Sequence, residues 1–321
     1  MIDNVLFAAQ NRDSSEILTP AEVHRPPDWR FSDEPPREVS PKPPRLRLHI
    51  ILFLATVATT IIAGAIHQGV NPFDTPWQLY KGIPFSFTLL LILGTHEMGH
   101  YLVSRHHHLD CTLPYFLPAP PFPFIVGTFG AFIRIRSPIQ DKRALLDVGC
   151  SGPLVGVLVS IPVLMVGLKL SVIKVMPPGS GGLILGEPLL FKFINWLVVG
   201  SLPQDHHVLL HPVAFAGWIG LLVTTLNLLP VGQLDGGHVA YALFPDHHRK
   251  ISLACLAGLV MFGVIMWQGW LIWAILLAIL GFRHPPPARY WVPLDRRRQI
   301  LGIVTIIVFV LTFTPTPFVL E

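Results

Sequence analysis

Residues 94–103 read GTHEMGHYLV and place two histidines and a glutamate inside a strongly apolar run. His96 and His100 are four apart, so on a helix they share one face, a turn from each other. That spacing lets two imidazoles hold one metal ion. Glu97 would lie beside such an ion without being aimed at it. A carboxylate there can hold a water and take its proton, so the pattern suits metal-assisted hydrolysis of a carbonyl. The alternative is a pair of core histidines bonded to neighbouring helices. Within a membrane each ionisable group costs about 2.5–3.5 kcal/mol on insertion scales, which favours residues kept for a function.

A catalytic zinc holds three protein ligands and an open position, so a third donor must come from elsewhere. Cys111, Cys150 and Cys255 form no CxxC pair and no even set, which argues against a thiolate site and against a disulfide framework. The stretch NLLPVGQLDGGH at 227–238 offers Asp235. Its apolar run breaks at Pro230, and Gly232, Gly236 and Gly237 are expected to loosen the backbone around the carboxylate. Asp235 would then reach a metal without a rigid helix dictating its direction.

The elements that carry these residues are expected to be membrane helices. The chain has 321 residues, 51% hydrophobic and 13% charged, with mean hydropathy +0.56. Soluble domains carry roughly 25% charged residues. A polytopic membrane protein in a lipid bilayer follows. The formal charge of +4 does not imply nucleic acid, because the basic residues lie mainly in short loops between apolar runs. Segments are expected at about 46–68, 82–105, 144–173, 211–229, 251–267, 269–282 and 299–314. With the N-terminus in the cytoplasm, 19 of the 23 Lys and Arg residues fall inside and 4 outside. That bias supports seven spans and an external C-terminus. It also brings His96, His100 and Asp235 to one depth, near the cytoplasmic ends of two parallel segments.

Three stretches are not spans. Residues 1–44, with eight prolines, are expected to be a disordered cytoplasmic tail; residues 45–320 then form the transmembrane domain. Residues 111–140 are apolar but broken by Pro114, Pro118, Pro120, Pro121 and Pro123. This reads as a re-entrant loop with a short β-hairpin, in which GTFGAFIRIR is strand-like. Residues 174–209 are expected to be an irregular external loop. Of the other histidines, His106, His107 and His108 are expected in a solvated basic turn, and His238 either supports the site or packs. GPLVG at 152–156 reads as a close helix-packing patch.

HExxH on a helix is the zinc metalloprotease signature. HEMGH in an early apolar segment, NLLPVGQLDGG in a later one, and GTFGAFIRI and SGPLVG between them together resemble the site-2 protease family of intramembrane zinc metalloproteases. The resemblance covers about residues 46–284, without a run that would form a PDZ domain. It implies an all-α membrane protein with a three-helix catalytic core, and one zinc per chain held by His96, His100 and Asp235. It also implies Glu97 as general base and cleavage of single-pass transmembrane substrates. Asn227 matches the family asparagine eight residues before the aspartate. Two roles stay open for it, a hydrogen bond to the substrate or intermediate and a helix–helix hydrogen bond. The rival readings are an intramembrane metal transporter, with polar groups strung at several depths, and an inactive membrane scaffold, which would not need Glu97. The N-terminus resembles neither a signal nor a transit peptide, so a prokaryotic plasma membrane is expected.

Overall fold

The computed structural model describes residues 46–122, 125–175, 183–203, 206–282 and 284–320. The expected tail at 1–44 lies outside the described residues, as do Pro123, Arg283 and part of the 174–209 loop. In chain order the elements are α1 (Leu46–His67), α2 (Ile83–His106), β1 (Tyr115–Pro118), β2 (Thr128–Phe132), α3 (Lys142–Lys169), β3 (Val172–Val175) and β4 (Leu183–Leu185). Then follow α4 (Leu189–Val199), β5 (His206–Leu209), α5 (Pro212–Asn227), α6 (Asp235–Leu243), α7 (His248–Ile265), α8 (Gly269–Leu280), α9 (Arg296–Thr312) and β6 (Phe318–Leu320).

Every expected apolar segment contains a helix, though the one expected at 144–173 ends at Lys169 and its last residues, Val172 and Ile173, lie in β3. Among the described residues three helices are long and apolar enough to cross a membrane, Leu46–His67, Lys142–Lys169 and Pro245–Ile265. The outer surface is apolar to match: Ile51, Leu54, Val264, Ile272 and Ile279 are each more than half exposed. A water-soluble chain rarely presents so much contiguous apolar surface, and the protein is a membrane protein.

α3 is the central helix. At 28 residues it is about 42 Å long, more than the roughly 30 Å of a bilayer's hydrocarbon. Asp141 caps it, accepting from the backbone N–H of Arg143 at 3.1 Å and of Ala144 at 3.0 Å. It packs against α2, α5, α6 and α9. The largest cluster buries Phe85, Leu89 and Leu93 of α2 against Leu164 and Leu168 of α3 and Trp218 and Leu221 of α5. Trp218 Nε1 donates to the Gly186 carbonyl at 2.7 Å, which satisfies its one polar atom.

The loop at 111–140 contains an antiparallel hairpin, β1 with β2, registered Tyr115 to Phe132 and Leu117 to Gly130. Polar groups of the apolar helix α1 hold it in place. His49 Nδ1 meets the Pro114 carbonyl at 3.0 Å, Thr59 donates to that of Gly127 at 2.7 Å, and His67 Nε2 meets that of Ile125 at 2.6 Å. The 174–209 segment differs from the irregular loop expected. β3 pairs with β5, and the apolar run LLFKFINWLVV between them forms α4, burying Phe191 and Ile194. β6 pairs with β4, so the C-terminal strand lies on this same loop.

α9 is tied to the centre by charge. Arg298 donates through Nε and Nη2 to the Asp147 carboxylate of α3 at 2.7–3.0 Å. His107, at the end of α2, meets the same carboxylate at 2.8 Å. His107 is thus paired and partly buried, not in a freely solvated turn. Arg298 also reaches Asp295, whose carboxyl those hydrogen bonds hold below the usual carboxylate range. This contribution is present above that range and is lost as pH falls through the lowered pKa. Asp147→Ala would leave Arg298 and His107 without their shared partner in a partly buried position. It is expected to cost about 1–3 kcal/mol, measured as a lower thermal unfolding midpoint. An unchanged midpoint would show that α9 docks without this tie.

Candidate metal centre

α2 brings the two histidines inward. His96 is 3% exposed, Glu97 5% and His100 6%, values that separate them from the lipid-facing residues of the same helix, such as Leu102 at 59%. The His96 and His100 Nε2 atoms are 3.2 Å apart. His100 Nδ1 lies 2.8 Å from the Val148 carbonyl of α3. A carbonyl only accepts, so Nδ1 carries the proton and Nε2 presents its lone pair to the centre.

Asp235 arrives from the other side. Its Oδ2 is 3.2 Å from His100 Nε2 and 3.4 Å from His96 Nε2. The three donor atoms lie within 4.8 Å of one another, and among the described residues this is the one group of three or more His, Cys, Asp or Glu donors that converges. The backbone here differs from the loosened loop expected. α5 ends at Asn227, and α6 begins at Asp235 with Gly236 and Gly237 inside it. The glycines serve close approach, because a Cβ on Gly237 would lie 2.8 Å from the Val231 carbonyl. Asp235 therefore sits in the first turn of a helix, where the backbone dipole favours a carboxylate.

Asn227 is the last residue of α5, and its Nδ2 lies 3.2 Å from His96 Nε2. Of its two roles, the structure contains the helix–helix hydrogen bond, and Asn227 also lines the pocket. That pocket, about 220 Å³, is walled by His96, Glu97, His100, Asn227, Asp235 and the β2 segment around Phe132. The Ile133 backbone reaches the Glu97 carboxyl.

α3 closes the remaining side with glycine. A Cβ on Gly152 would lie 2.6 Å from Cε1 of His100, and one on Gly156 would lie 3.1 Å from Nδ1 of His96. The SGPLVG patch is a packing patch against α2, and what it packs against is the two imidazole rings themselves. Nothing in the sequence marked this, because small residues at that spacing serve any close helix pair. His238, on α6, lines the pocket and bonds through Nδ1 to Nε2 of His284 at 2.7 Å. His284 lies beyond the segments that carry recognisable motifs.

Two imidazole nitrogens and one carboxylate oxygen, converging with an accessible space on one side, match the donor set of a hydrolytic zinc site. The peptidase family M50 model matches residues 84–267. A probable zinc metalloprotease named EGY2, chloroplastic, from Arabidopsis thaliana is 29% identical over 262 residues, 78% of this chain and 44% of the relative. The rice (Oryza sativa subsp. japonica) probable zinc metalloprotease EGY1, chloroplastic, is 33% identical over 173 residues, 51% of this chain and 28% of the relative. The chain thus spans less than half the length of these curated relatives. No solved structure matches it.

Proposed function

Because the chain belongs to peptidase family M50, we propose that it is an intramembrane zinc metalloendopeptidase that hydrolyses peptide bonds within single-pass transmembrane substrates. The observation that carries this reading is the convergence of His96, His100 and Asp235 around a pocket that also holds Glu97. His96, His100 and Asp235 are the proposed zinc ligands and Glu97 the general base. A metal transporter would need further donors along a path, and among the described residues no second group converges.

A zinc ion held by His96, His100 and Asp235 would supply a water of pKa near about 7 and a Lewis acid for the scissile carbonyl. Glu97 takes the proton of the attacking water and returns it to the leaving amine. Asn227 swings from His96 to donate to the developing oxyanion or the substrate backbone. A helical peptide bond is shielded by its own hydrogen bonds, so the substrate must be extended at the site. β2 pairs on one side only among the described strands, and Ala131, Phe132 and Ile133 border the pocket. The substrate is proposed to add to that edge.

Seven spans are proposed, with the 111–140 hairpin re-entrant and residues 1–44 a cytoplasmic tail preceding the transmembrane domain at 45–320. The pairing of β4 with β6 supports an odd number of spans, because it puts the C-terminal strand on the loop assigned outside. The centre would then open toward the cytoplasm and release its product inward. A prokaryotic plasma membrane is proposed on the sequence alone; the plant relatives, named chloroplastic, lend it no support.

The purified full chain is expected to hold one zinc. Removing it with 1,10-phenanthroline should abolish cleavage of a single-span reporter, and added zinc should restore it. Cleavage that survives complete metal removal would sink this reading.

A further inference from the structure

Beside the metal pocket lies a second, larger cavity of about 560 Å³. The two share Phe132, Ile133, Ile135, Gln233 and His238 in their walls, so they adjoin. The far wall is His284 through Ala288, a segment outside the family match at 84–267. No step of the proposed hydrolysis uses it.

One wall is a strand edge, on which the Ile133 N–H already reaches Glu97. Thr112 N–H donates to the Arg134 carbonyl at 3.0 Å, and Arg136 N–H donates to that of Asp110 at 2.7 Å. The Arg134 N–H turns the same way, to Thr112 Oγ1 at 3.0 Å. Cys111 and Ile135 stand opposite each other between these bonds. Alternation in an antiparallel ladder then turns the Ile133 carbonyl and the Ile135 N–H and carbonyl to the other edge. Both isoleucines line the cavity, so that edge borders it.

The opposite wall carries an oriented histidine pair. His284 Nδ1 lies 2.6 Å from the Pro285 carbonyl, so Nδ1 is protonated and Nε2 is a lone pair. Burial, with the adjacent His238 ring, pushes His284 down to about 4, so it is neutral at ordinary pH. His238 must therefore donate its Nδ1–H to His284 Nε2 across their 2.7 Å contact. That fixes the His238 tautomer and leaves its Nε2 unprotonated. This atom has no partner among the described residues, and its ring lines both cavities.

We propose that the second cavity is a peptide channel continuous with the metal centre, and that His238, oriented by His284, is a positioning residue that accepts one backbone N–H of the extended substrate segment beside the scissile bond. The inference rests on the protease reading and deepens it. A strand hydrogen-bonded to Ile133 and Ile135 turns its alternate N–H groups away from them. His238 Nε2, on a ring that lines both cavities, is the acceptor assigned to one of them. The rest of the cavity is mainly apolar, with Phe132, Ile139, Leu145 and Pro286 in its walls, and suits the side chains of a transmembrane segment.

The test uses the full-length chain in nanodiscs and a leucine-rich peptidyl hydroxamate, together with analogues in which one backbone amide at a time is replaced by an ester. An ester keeps the shape and loses the N–H. In wild type, esters at positions facing Ile133 or Ile135 and at one position facing His238 should each weaken inhibition about five- to tenfold. His238→Phe should remove the penalty at that one position only, with zinc content unchanged, and His238→Gln, which keeps an acceptor, should restore part of it. A wild type that holds zinc and cleaves a reporter, yet inhibits equally with every ester or binds no peptidyl chain, overturns the channel alone. So does a His238→Phe variant that keeps the whole penalty. A wild type that holds no zinc and binds no hydroxamate overturns the channel together with the protease reading.

Discussion

Glu97→Gln is expected to keep zinc at the wild-type level and to lower cleavage of a single-span substrate by about 10²–10⁴-fold. The two readouts separate because Glu97 is not among the proposed ligands. His96 and His100 flank it on α2, and Asp235 meets their Nε2 atoms without its help. Glutamine matches glutamate in shape, so the buried α2 face loses a titratable oxygen and no volume. What is lost is the proposed proton acceptor, and among the lining residues the one other carboxylate is Asp235, a proposed ligand. Metal analysis and a cleavage assay on the same preparation decide it. Equal turnover in both proteins would end the base assignment, and loss of zinc from the variant would mean Glu97 also builds the centre.

Much of this site was legible because its geometry is helical arithmetic. A four-residue spacing puts His96 and His100 on one face whatever surrounds them, and charge bias alone matched their depth to that of Asp235. The boundaries of the apolar segments were legible for the same reason, since a long apolar run has few alternatives to a helix. Features that depend on what packs against what were less visible. The run around Phe191 is short, and only its packing makes it α4 within a loop closed by β3 and β5. Gly236 and Gly237 signal flexibility in a sequence, yet here they permit α6 to press on the chain that precedes it. His238 and His284 are 46 residues apart, in no shared motif, so their pairing becomes visible only once the chain is folded.

Gly152 is where packing and chemistry meet, and Gly152→Ala is expected to weaken zinc binding by at least about 10–100-fold, the range found for groups that orient metal ligands. By helix propensity alone the substitution should help α3, since alanine is favoured over glycine by about 1 kcal/mol in a helix interior. The added Cβ would lie 2.5 Å from Cδ2 and 2.6 Å from Cε1 of His100. Those atoms belong to a ring pinned at its other edge by the Val148 carbonyl at 2.8 Å. The ring cannot yield without breaking that bond or turning Nε2 away from Asp235. The effect should be graded along the chain. Gly156→Ala, 3.1 Å from His96 Nδ1, should cost less. Gly258→Ala on α7, with nothing within 4 Å, should leave zinc affinity unchanged. Competition for zinc against a chelator of known affinity, run on all three variants, measures the series. If Gly152→Ala binds zinc as tightly as Gly258→Ala, the close fit of α3 against the imidazoles is not what holds His100 in place, and the metal centre is more tolerant than its packing implies.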